Sequence, residues 1–401
     1  MRSPCEGTCA DVLYTIVQHI VNSGSLRIVL PTLCRLMSRI GLQLTRPCDT
    51  VLAMVPFSRG SLFLAPMVGI TNRAFRTLVC ELGAPDWFVT EMASAEAFLS
   101  GGRNESIYLD PSPRPLRTSV QFAARSPETL AKACTAVSRL PAEYRPAGID
   151  INMGCSAPHI KGYGRGAALL DNPSLAREMV AAAREQWGGM LSAKIRISTS
   201  LGEDGTVALA QSLASAGLDC ITVHARFDTQ KFRRKADHRF AALLAEALPI
   251  PVIANGDITS RDECDALLDS THIHSLMIGR AAVQKPWLFA SLKSGAGSGG
   301  GGRVIPLCSE LESKPQPGLR HMPEIDFLAI ALRFIELVET LLPSEWQKET
   351  CRRVFSYYAE NVSFAHHLRF SLINAPSLDA MRQILRDYFD QVPQDRIFVH
   401  D

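Results

Sequence analysis

The sequence lacks the cysteine patterns that build metal sites or disulfide frameworks. Its 11 cysteines are scattered along 401 residues, with no C-x-x-C pair and no spacing typical of a zinc site. An odd, dispersed set of thiols is typical of a protein in a reducing compartment. We therefore expect a cytoplasmic protein with no bound metal.

Charge and long apolar runs are also scarce. Charged residues make up 20% of the chain and the formal net charge is only +2, so no global basic field indicates nucleic acid binding. No run of about 18 uncharged apolar residues occurs, which predicts the absence of a membrane-spanning helix. The hydrophobic fraction of 46% instead indicates a folded protein with a sizeable core.

Acidic residues are missing from a long stretch near the start of the sequence. There is none between Asp11 and Asp49, although Arg27, Arg35 and Arg39 are present. An arginine-rich, acid-poor segment is typical of mitochondrial targeting peptides. A poorly ordered extension or an upstream start codon would explain the same composition. Residues 1–60 are thus predicted to be an N-terminal extension, and its composition leaves these three alternatives open.

From residue 61 onward, short apolar runs alternate with longer stretches of helical periodicity. Eight strand–helix units in about 230 residues are typical of a TIM barrel. An open doubly wound sheet is the alternative, but the glycine-rich dinucleotide fingerprint that it normally carries does not follow the first strand. The predicted fold class is therefore α/β, with a (β/α)8 barrel over residues 61–293. The predicted strands are Leu62–Ala65, Trp87–Thr90, Ser119–Phe122, Ile149–Asn152, Ser192–Ile197, Cys220–His224, Val252–Ala254 and Ser275–Ile278.

Two further segments follow the barrel. Residues 294–323 are rich in glycine and proline, a composition typical of a flexible linker. Residues 324–401 show helical periodicity and predict a small C-terminal helical domain. Its predicted helices are Ile325–Leu342, Glu345–Ala359, Phe364–Leu372 and Leu378–Phe389.

Polar side chains recur at the carboxyl ends of the predicted strands, where barrel enzymes carry their active sites. Cys155 stands just past the fourth strand, although a free cysteine is often only a small buried apolar residue. Lys194 in the fifth strand suggests an anionic partner, because an unpaired ammonium in a barrel mouth is costly. A rim carboxylate could satisfy it instead, and His224 could likewise be an ordinary rim histidine.

The ends of the seventh and eighth strands predict a phosphate site. Asn255-Gly256 and Gly279-Arg280 combine small residues with predicted helix N termini, which favour an anion, and Arg280 adds a charge-assisted bond. Two ordinary turns are the alternative interpretation. We expect a phosphate-bearing cofactor here.

In their order and spacing, seven motifs within residues 61–290 resemble the tRNA-dihydrouridine synthase family, flavin enzymes that reduce selected uridines in tRNA. The region after Glu324 resembles the C-terminal domain of that family more loosely, and this resemblance implies that residues 324–401 are a helical tRNA-binding domain. The motifs are Ala65–Asn72, Asp150–Cys155, Gly164–Leu170, Lys194–Arg196, Thr222–Arg226, Asn255–Ile258 and Ile278–Ala282.

The resemblance implies FMN as cofactor and NADPH as reductant. Reduced FMN would give a hydride to C6 of the uracil, and Cys155 would give a proton to C5. A thiol suits this step because it is mostly protonated at neutral pH and can act as a general acid. Asn152 would line the uracil pocket. The residues expected to bind FMN are Pro66, Met67, Gln121, Lys194, His224, Asn255, Gly256, Gly279 and Arg280.

The sequence departs from the family pattern at three points. A proline usually follows the catalytic cysteine directly, but here Pro158 comes two residues later than that. Asn72 stands where the first motif commonly ends in aspartate, and Phe227 replaces a common threonine. The first departure makes the path of the loop after Cys155 an open question.

A tRNA partner requires basic residues near its phosphates. From Arg320 onward there are nine Lys/Arg against twelve Asp/Glu, so any tRNA contact must be local. The best candidate is 231–235, which contains Arg233 and Arg234, and the preceding Arg226 of the sixth-strand motif is also predicted to contact the tRNA substrate. Arg352 and Arg353 are a second candidate, and each group could also be a solvated charged face. We expect the protein to act as a monomer on tRNA.

Two rival functions remain at this stage. One is an FMN barrel reductase of a small molecule, of the dihydroorotate or enoate type. The other is a non-catalytic RNA-binding relative that has kept the barrel. The helical domain and the basic loop argue against the first, and Cys155, Lys194 and His224 argue against the second.

Overall fold

A computed structural model describes residues 55–230, 233–294 and 324–399. Eight parallel strands close into a barrel in sequence order, with β1 paired to β8, which confirms the predicted TIM barrel. The strands are β1 (Leu62–Leu64), β2 (Trp87–Ser94), β3 (Thr118–Ala123), β4 (Gly148–Met153), β5 (Met190–Ile197), β6 (Cys220–Phe227), β7 (Val252–Asn255) and β8 (Ser275–Ile278).

Helices form the outer layer of the barrel. Capping explains several of their starts, since the Asn72 side chain caps the first helix and Ser260 forms a capping box with Glu263. The helices are α1 (Arg73–Glu81), α2 (Ala95–Leu99), α3 (Glu105–Tyr108), α4 (Pro127–Ser138), α5 (Pro158–Lys161), α6 (Pro173–Gln186), α7 (Gly202–Ser215), α8 (His238–Ala247), α9 (Arg261–Asp269), α10 (Arg280–Gln284) and α11 (Leu288–Ser294).

The two faces of each strand have different partners. In β4, Ile149 and Ile151 are fully buried in the apolar layer shared with the helices. Asp150 and Asn152 alternate with them and hydrogen-bond across the inside of the barrel. Because successive side chains of a strand point to opposite faces, apolar and polar residues alternate in the sequence of β4.

The amino-terminal half of the barrel interior is apolar and filled. Phe57 packs there edge-to-face on Phe63, with ring centroids 4.9 Å apart, and on His274 at 5.4 Å. Trp87 is fully buried and donates from Nε1 to Ser119 Oγ at 2.9 Å. The described residues 55–60, which composition assigned to the extension, thus pack against this end of the barrel. Among the described residues, these side chains fill the amino-terminal end of the barrel interior, whereas the polar side chains lie toward the carboxyl end.

Several strands extend beyond their predicted ends. β2 continues to Ser94 and β6 to Phe227. The pairing register shifts between Val89 and Met92, and again after Arg196. Such bulges at a barrel rim re-aim side chains next to a site, and sequence periodicity does not reveal them.

The C-terminal region contains four long helices and a two-stranded sheet. The helices are α12 (Phe327–Leu341), α13 (Ser344–Tyr358), α14 (Ala365–Asn374) and α15 (Leu378–Gln391). The prediction that the first helix starts at Ile325 is wrong at its first residues, because β9 (Glu324–Asp326) pairs antiparallel with β10 (Ile397–Val399). Asp326 ends this strand and caps α12 by accepting from Ala329 N at 3.0 Å.

The helical region packs directly on the barrel. Phe334 of α12 contacts Phe75 of α1 with ring centroids 6.1 Å apart. Arg333 makes a bidentate pair with Glu81 at 3.0 and 2.7 Å. Within the three described ranges, no helix is long and apolar enough to cross a membrane. The predicted linker beyond residue 294 and the first 54 residues of the predicted extension lie outside those ranges.

Candidate active site at the carboxyl end of the barrel

A chain of hydrogen bonds inside the barrel orients two of the predicted site residues. Asp150 accepts from Ser192 Oγ at 2.5 Å and from Gln121 Nε2 at 2.7 Å. Gln121 Oε1 in turn accepts from Asn152 Nδ2 at 2.9 Å. Because a carboxylate accepts and an amide nitrogen donates, Asp150 fixes which way both amides face. Burial raises the pKa of Asp150, against the hydrogen bonds from Ser192 and Gln121.

Asn152, oriented in this way, also contacts the backbone of the predicted catalytic cysteine. With its Nδ2 committed to Gln121, its Oδ1 accepts from Cys155 N at 3.0 Å and from Gly154 N at 3.3 Å. The backbone that bears Cys155 is thereby tied to the barrel interior. Cys155 is only partly buried, so its thiol stands at the mouth rather than in the core.

The Cys155 loop, residues 154–166, is anchored at both sides of the mouth. Lys161 Nζ lies 3.0 Å from Asp228 and 3.1 Å from Asp171. On the other side, Arg165 pairs with Glu96 at 2.8 Å. The displaced Pro158 begins the short helix α5 within this loop, which answers the question that the departure from the family pattern raised.

The loop returns to Cys155 at its end. Ala167 N donates to Cys155 O at 2.9 Å. Gly166 has a φ of +60°, and a Cβ there would lie 2.6 Å from Cys155 O. Any side chain at position 166 would therefore displace the backbone of the cysteine.

Lys194 is a cation enclosed by protein. Its side chain is only partly accessible, and burial, followed by the charge of Arg196, lowers its pKa to about 8. Among the residues that the structure describes, no carboxylate lies within ion-pair distance of its Nζ. An ammonium in such a place calls for an anionic ligand, which favours the predicted cofactor role over a rim ion pair.

The ends of β7, β8 and β1 meet at one side of the mouth. Asn255 Nδ2 donates to Met277 O at 2.7 Å and bridges β7 to β8. A Cβ on Gly279 would lie 3.5 Å from Ala65 Cβ and from Met67 Sδ. Met67 near the start of the barrel sequence and Gly279 near its end, both predicted to contact the cofactor, are therefore neighbours in the fold.

Gly256 admits no side chain. Its φ is +122°, and a Cβ there would lie 2.7 Å from Ala236 Cβ and 3.0 Å from His224 Cδ2. The helix expected right after it begins only at Arg261, where the side chains of Ser260 and Glu263 already cap the N terminus. An anion at this turn would be held by backbone groups and arginine rather than by that helix.

Four residues predicted to contact the substrate lie in different settings. Asn152 is buried beside Cys155, whereas Arg233 and Arg234 are exposed. Arg226 is only 3% exposed and faces the barrel interior. Lys231, also proposed for tRNA, lies outside the described residues.

The second basic candidate, on α13, is engaged with protein. Arg352 donates to Ala375 O at 3.3 Å. Arg353 pairs with Glu349 at 2.9 Å and reaches Val68 O at 3.4 Å, so it joins the helical region to the turn after β1. These contacts favour a structural role for both arginines.

Sequence reasoning missed Glu91. It lies in the middle of β2, one residue past the predicted end of the strand, and accepts from Gly69 N. Burial raises its pKa to about 7, and the charges of Arg76 and Arg353 oppose this shift. Glu91 thus holds the turn that follows Pro66 and Met67 from the barrel side. An acidic residue directly after an apolar run was the available signal.

Fold and site define a class of protein, a (β/α)8 barrel with buried polar and cationic side chains at the carboxyl ends of its strands. A family model described as dihydrouridine synthase matches residues 63–319. The chain belongs to the dihydrouridine synthase family.

Curated relatives agree with this membership. The tRNA-dihydrouridine synthase B of Pseudomonas putida is 34% identical over 239 residues, which cover 59% of this chain and 68% of that protein. The tRNA-dihydrouridine synthase B of Xanthomonas axonopodis pv. citri is 29% identical over 327 residues, covering 82% of this chain and 92% of the relative. A probable tRNA-dihydrouridine synthase of Aquifex aeolicus is 32% identical over 241 residues, 59% of this chain and 74% of that protein.

Proposed function

We propose that the protein reduces specific uridines in tRNA to 5,6-dihydrouridine, with FMN as cofactor and NADPH as reductant. Membership of the dihydrouridine synthase family supports the reaction class. The observation that carries the site assignment is the enclosed ammonium of Lys194, a residue paired in the sheet with Asn152, which in turn holds the backbone of Cys155. Lys194 supplies a positive charge for an anionic cofactor, and Cys155 supplies a proton donor.

The residues fit FMN in two respects. Lys194 offers a positive charge that no carboxylate in the described ranges pairs at ion-pair distance, suited to the N1–C2 carbonyl region of the isoalloxazine. The turns after β7 and β8, with Gly256 in one and Gly279-Arg280 in the other, offer backbone groups and a positive charge for the phosphate. When bound and reduced, FMN supplies the hydride for C6 of the uracil. Pro66 and Met67 would lie against its ring, with Gln121 at the polar edge.

The side chains of this protein then complete the reaction. Asn152 orients the uracil, and its own orientation is set by Gln121 and Asp150. Cys155 donates its Sγ proton to C5 as the hydride reaches C6, so the double bond gains one proton and one hydride. The uridine must leave its stack to enter the mouth, as flipped bases do in other modifying enzymes.

A direct experiment tests the cofactor and the reaction together. Purified protein should be yellow and, with NADPH, should form dihydrouridine in an unmodified tRNA transcript. NADPH-dependent reduction of orotate or of an enone substrate, with no product in tRNA, would favour the small-molecule alternative. Protein that takes up no flavin would contradict the proposal.

FMN affinity should depend on pH through Lys194. The lysine is protonated below a pKa of about 8, and an anionic ligand favours that protonated form. Loss of the Lys194 proton should therefore raise the dissociation constant for FMN above about pH 8, by up to about tenfold per pH unit. Fluorescence titrations of apoprotein measure this, and Lys194→Met should abolish the dependence. An identical rise in the variant would assign the effect to another group.

The exposed arginines after β6 should determine the salt dependence of tRNA binding. In an Arg233→Ala/Arg234→Ala variant, the slope of log K against log salt should fall by about two, because each lost phosphate contact removes about one. The matched control is Arg139→Ala/Arg177→Ala, which removes two exposed arginines from the outer helical layer. Equal slopes in the test variant and wild type would show that these side chains are solvated, and FMN reduction by NADPH should be unaffected in both variants.

A further inference from the structure

The guanidinium of Arg226 is committed to the interior of the protein. Nε donates to Arg234 O at 2.6 Å, Nη1 lies 2.8 Å from His224 Nε2, and Nη2 donates to Asp257 Oδ2. Only 3% of the residue is exposed. An arginine that binds tRNA phosphates would present its guanidinium at the surface, as the exposed Arg233 does from the following loop.

The contact with Arg226 determines the tautomer of His224. A guanidinium has only donors, so His224 Nε2 must accept, and its single ring proton must reside on Nδ1. Burial lowers the pKa of His224 well below its ordinary value, and the charges of Lys194, Arg196, Arg226 and Arg280 lower it further. The imidazole is therefore neutral, with one defined donor.

Asp257 holds this arrangement together from the turn after β7. Its backbone has a φ of 51°, which is uncommon for a residue other than glycine. Its carboxylate accepts from Arg226, from Ala236 N at 2.9 Å and from Arg280 Nη2 at 2.8 Å. Burial opposes its ionisation, but the bonds from Arg226 and Ala236 outweigh burial and lower its pKa. The ionised Asp257 side chain thus positions the guanidiniums of both Arg226 and Arg280 beside Gly256.

We propose that Arg226 is a positioning residue of the cofactor site and not a tRNA contact. It fixes His224 in the Nδ1–H tautomer, and through Asp257 it shares the anchor that aligns Arg280. His224 then presents a neutral N–H donor to the phosphate-bearing cofactor, while Arg280 presents the charge. The inference rests on the proposed FMN binding and replaces the substrate role that the sequence motif suggested for Arg226.

The tautomer can be measured on apoprotein without any substitution at Arg226. ¹⁵N-histidine NMR should show His224 with a protonated Nδ1 and an unprotonated Nε2 from about pH 5.5 to 8, with no titration in that range. His224→Gln identifies the signal by its loss. An Nε2–H tautomer, or a titration midpoint near the ordinary histidine value, would overturn the proposal whether or not any variant folds.

Substitution then separates the cofactor role from the tRNA role. Arg226→Met should weaken FMN binding about tenfold, the scale of a lost charge-assisted hydrogen bond, and leave tRNA affinity of FMN-saturated protein within about twofold. Arg233→Ala should do the reverse. Weakened tRNA binding with unchanged FMN affinity in Arg226→Met would overturn the proposal. Wild-type protein that takes up no FMN would instead contradict the proposed function. The NMR measurement does not depend on FMN and tests the His224 tautomer separately.

Discussion

Cys155→Ala is expected to lose about 100-fold or more of the rate of uridine reduction, because a positioned general acid typically contributes on that scale. FMN occupancy and the reduction of FMN by NADPH should stay at wild-type levels, since the proposed role of the thiol is only to supply the proton at C5. The measurement is dihydrouridine formed per enzyme under single-turnover conditions, starting from pre-reduced flavin.

The control is a second thiol that lies away from the mouth. Cys264→Ala removes a buried cysteine from α9 in the outer helical layer and should leave the rate unchanged. If Cys155→Ala also retained near-wild-type turnover, Cys155 would be removed from the mechanism. Another group would then have to donate the proton to C5 of the uracil.

Lys194→Met is expected to purify with strongly depleted flavin. The substitution removes the enclosed ammonium that we propose as a partner of the cofactor, and losing a charged partner in a shielded site should raise the dissociation constant about 100-fold. Flavin per polypeptide, from absorbance, and the FMN dissociation constant, from fluorescence, both report the effect. Arg280→Ala should also deplete flavin, but less, because Arg280 is 41% exposed in its side chain.

A surface lysine provides the matched control for this substitution. Lys132→Met removes an exposed ammonium that pairs with Glu128 on α4, at 2.6 Å. It should purify with full flavin, because exposed pairs of this kind contribute little. Full occupancy in Lys194→Met as well would contradict the assignment of β5 to the cofactor site.

The barrel could be predicted because its signals are local and repeated. Each strand is a short apolar run, and each following helix has its own periodicity, so eight units could be counted without knowing their contacts. The placement of polar residues at strand ends then followed from the geometry of parallel barrels, in which all carboxyl ends share one face. Gln121, Asn152 and Cys155 meet there for that reason.

What could not be predicted depends on contacts between distant residues. The β9 strand exists because it pairs with Ile397–Val399, about 70 residues further on in sequence, and this pairing overrides the helical pattern at Ile325. Arg226 was interpreted as a substrate residue because a motif gives a residue type without its direction. Its inward orientation depends on Asp257, which lies in the turn after β7.

The helical region also takes part in shaping the mouth. Arg353 lies so close to Gly69 that a Cβ there would be 2.6 Å from its Nη1, and Glu91 holds the same turn from the barrel side. The turn after Pro66 and Met67 is therefore held by contacts from both the barrel and the helical region. Composition alone, with its excess of acidic residues after Arg320, gave no sign of this contact.

Mapping dihydrouridine at nucleotide resolution tests the central claim most directly. Transfer RNA from cells with and without the gene is compared, and the tRNA from the deleted strain is then treated with purified protein, FMN and NADPH. The account predicts that defined dihydrouridine sites disappear on deletion and return with wild-type protein but not with Cys155→Ala. An unchanged dihydrouridine map after deletion, together with no product from the purified, flavin-loaded protein, would contradict it.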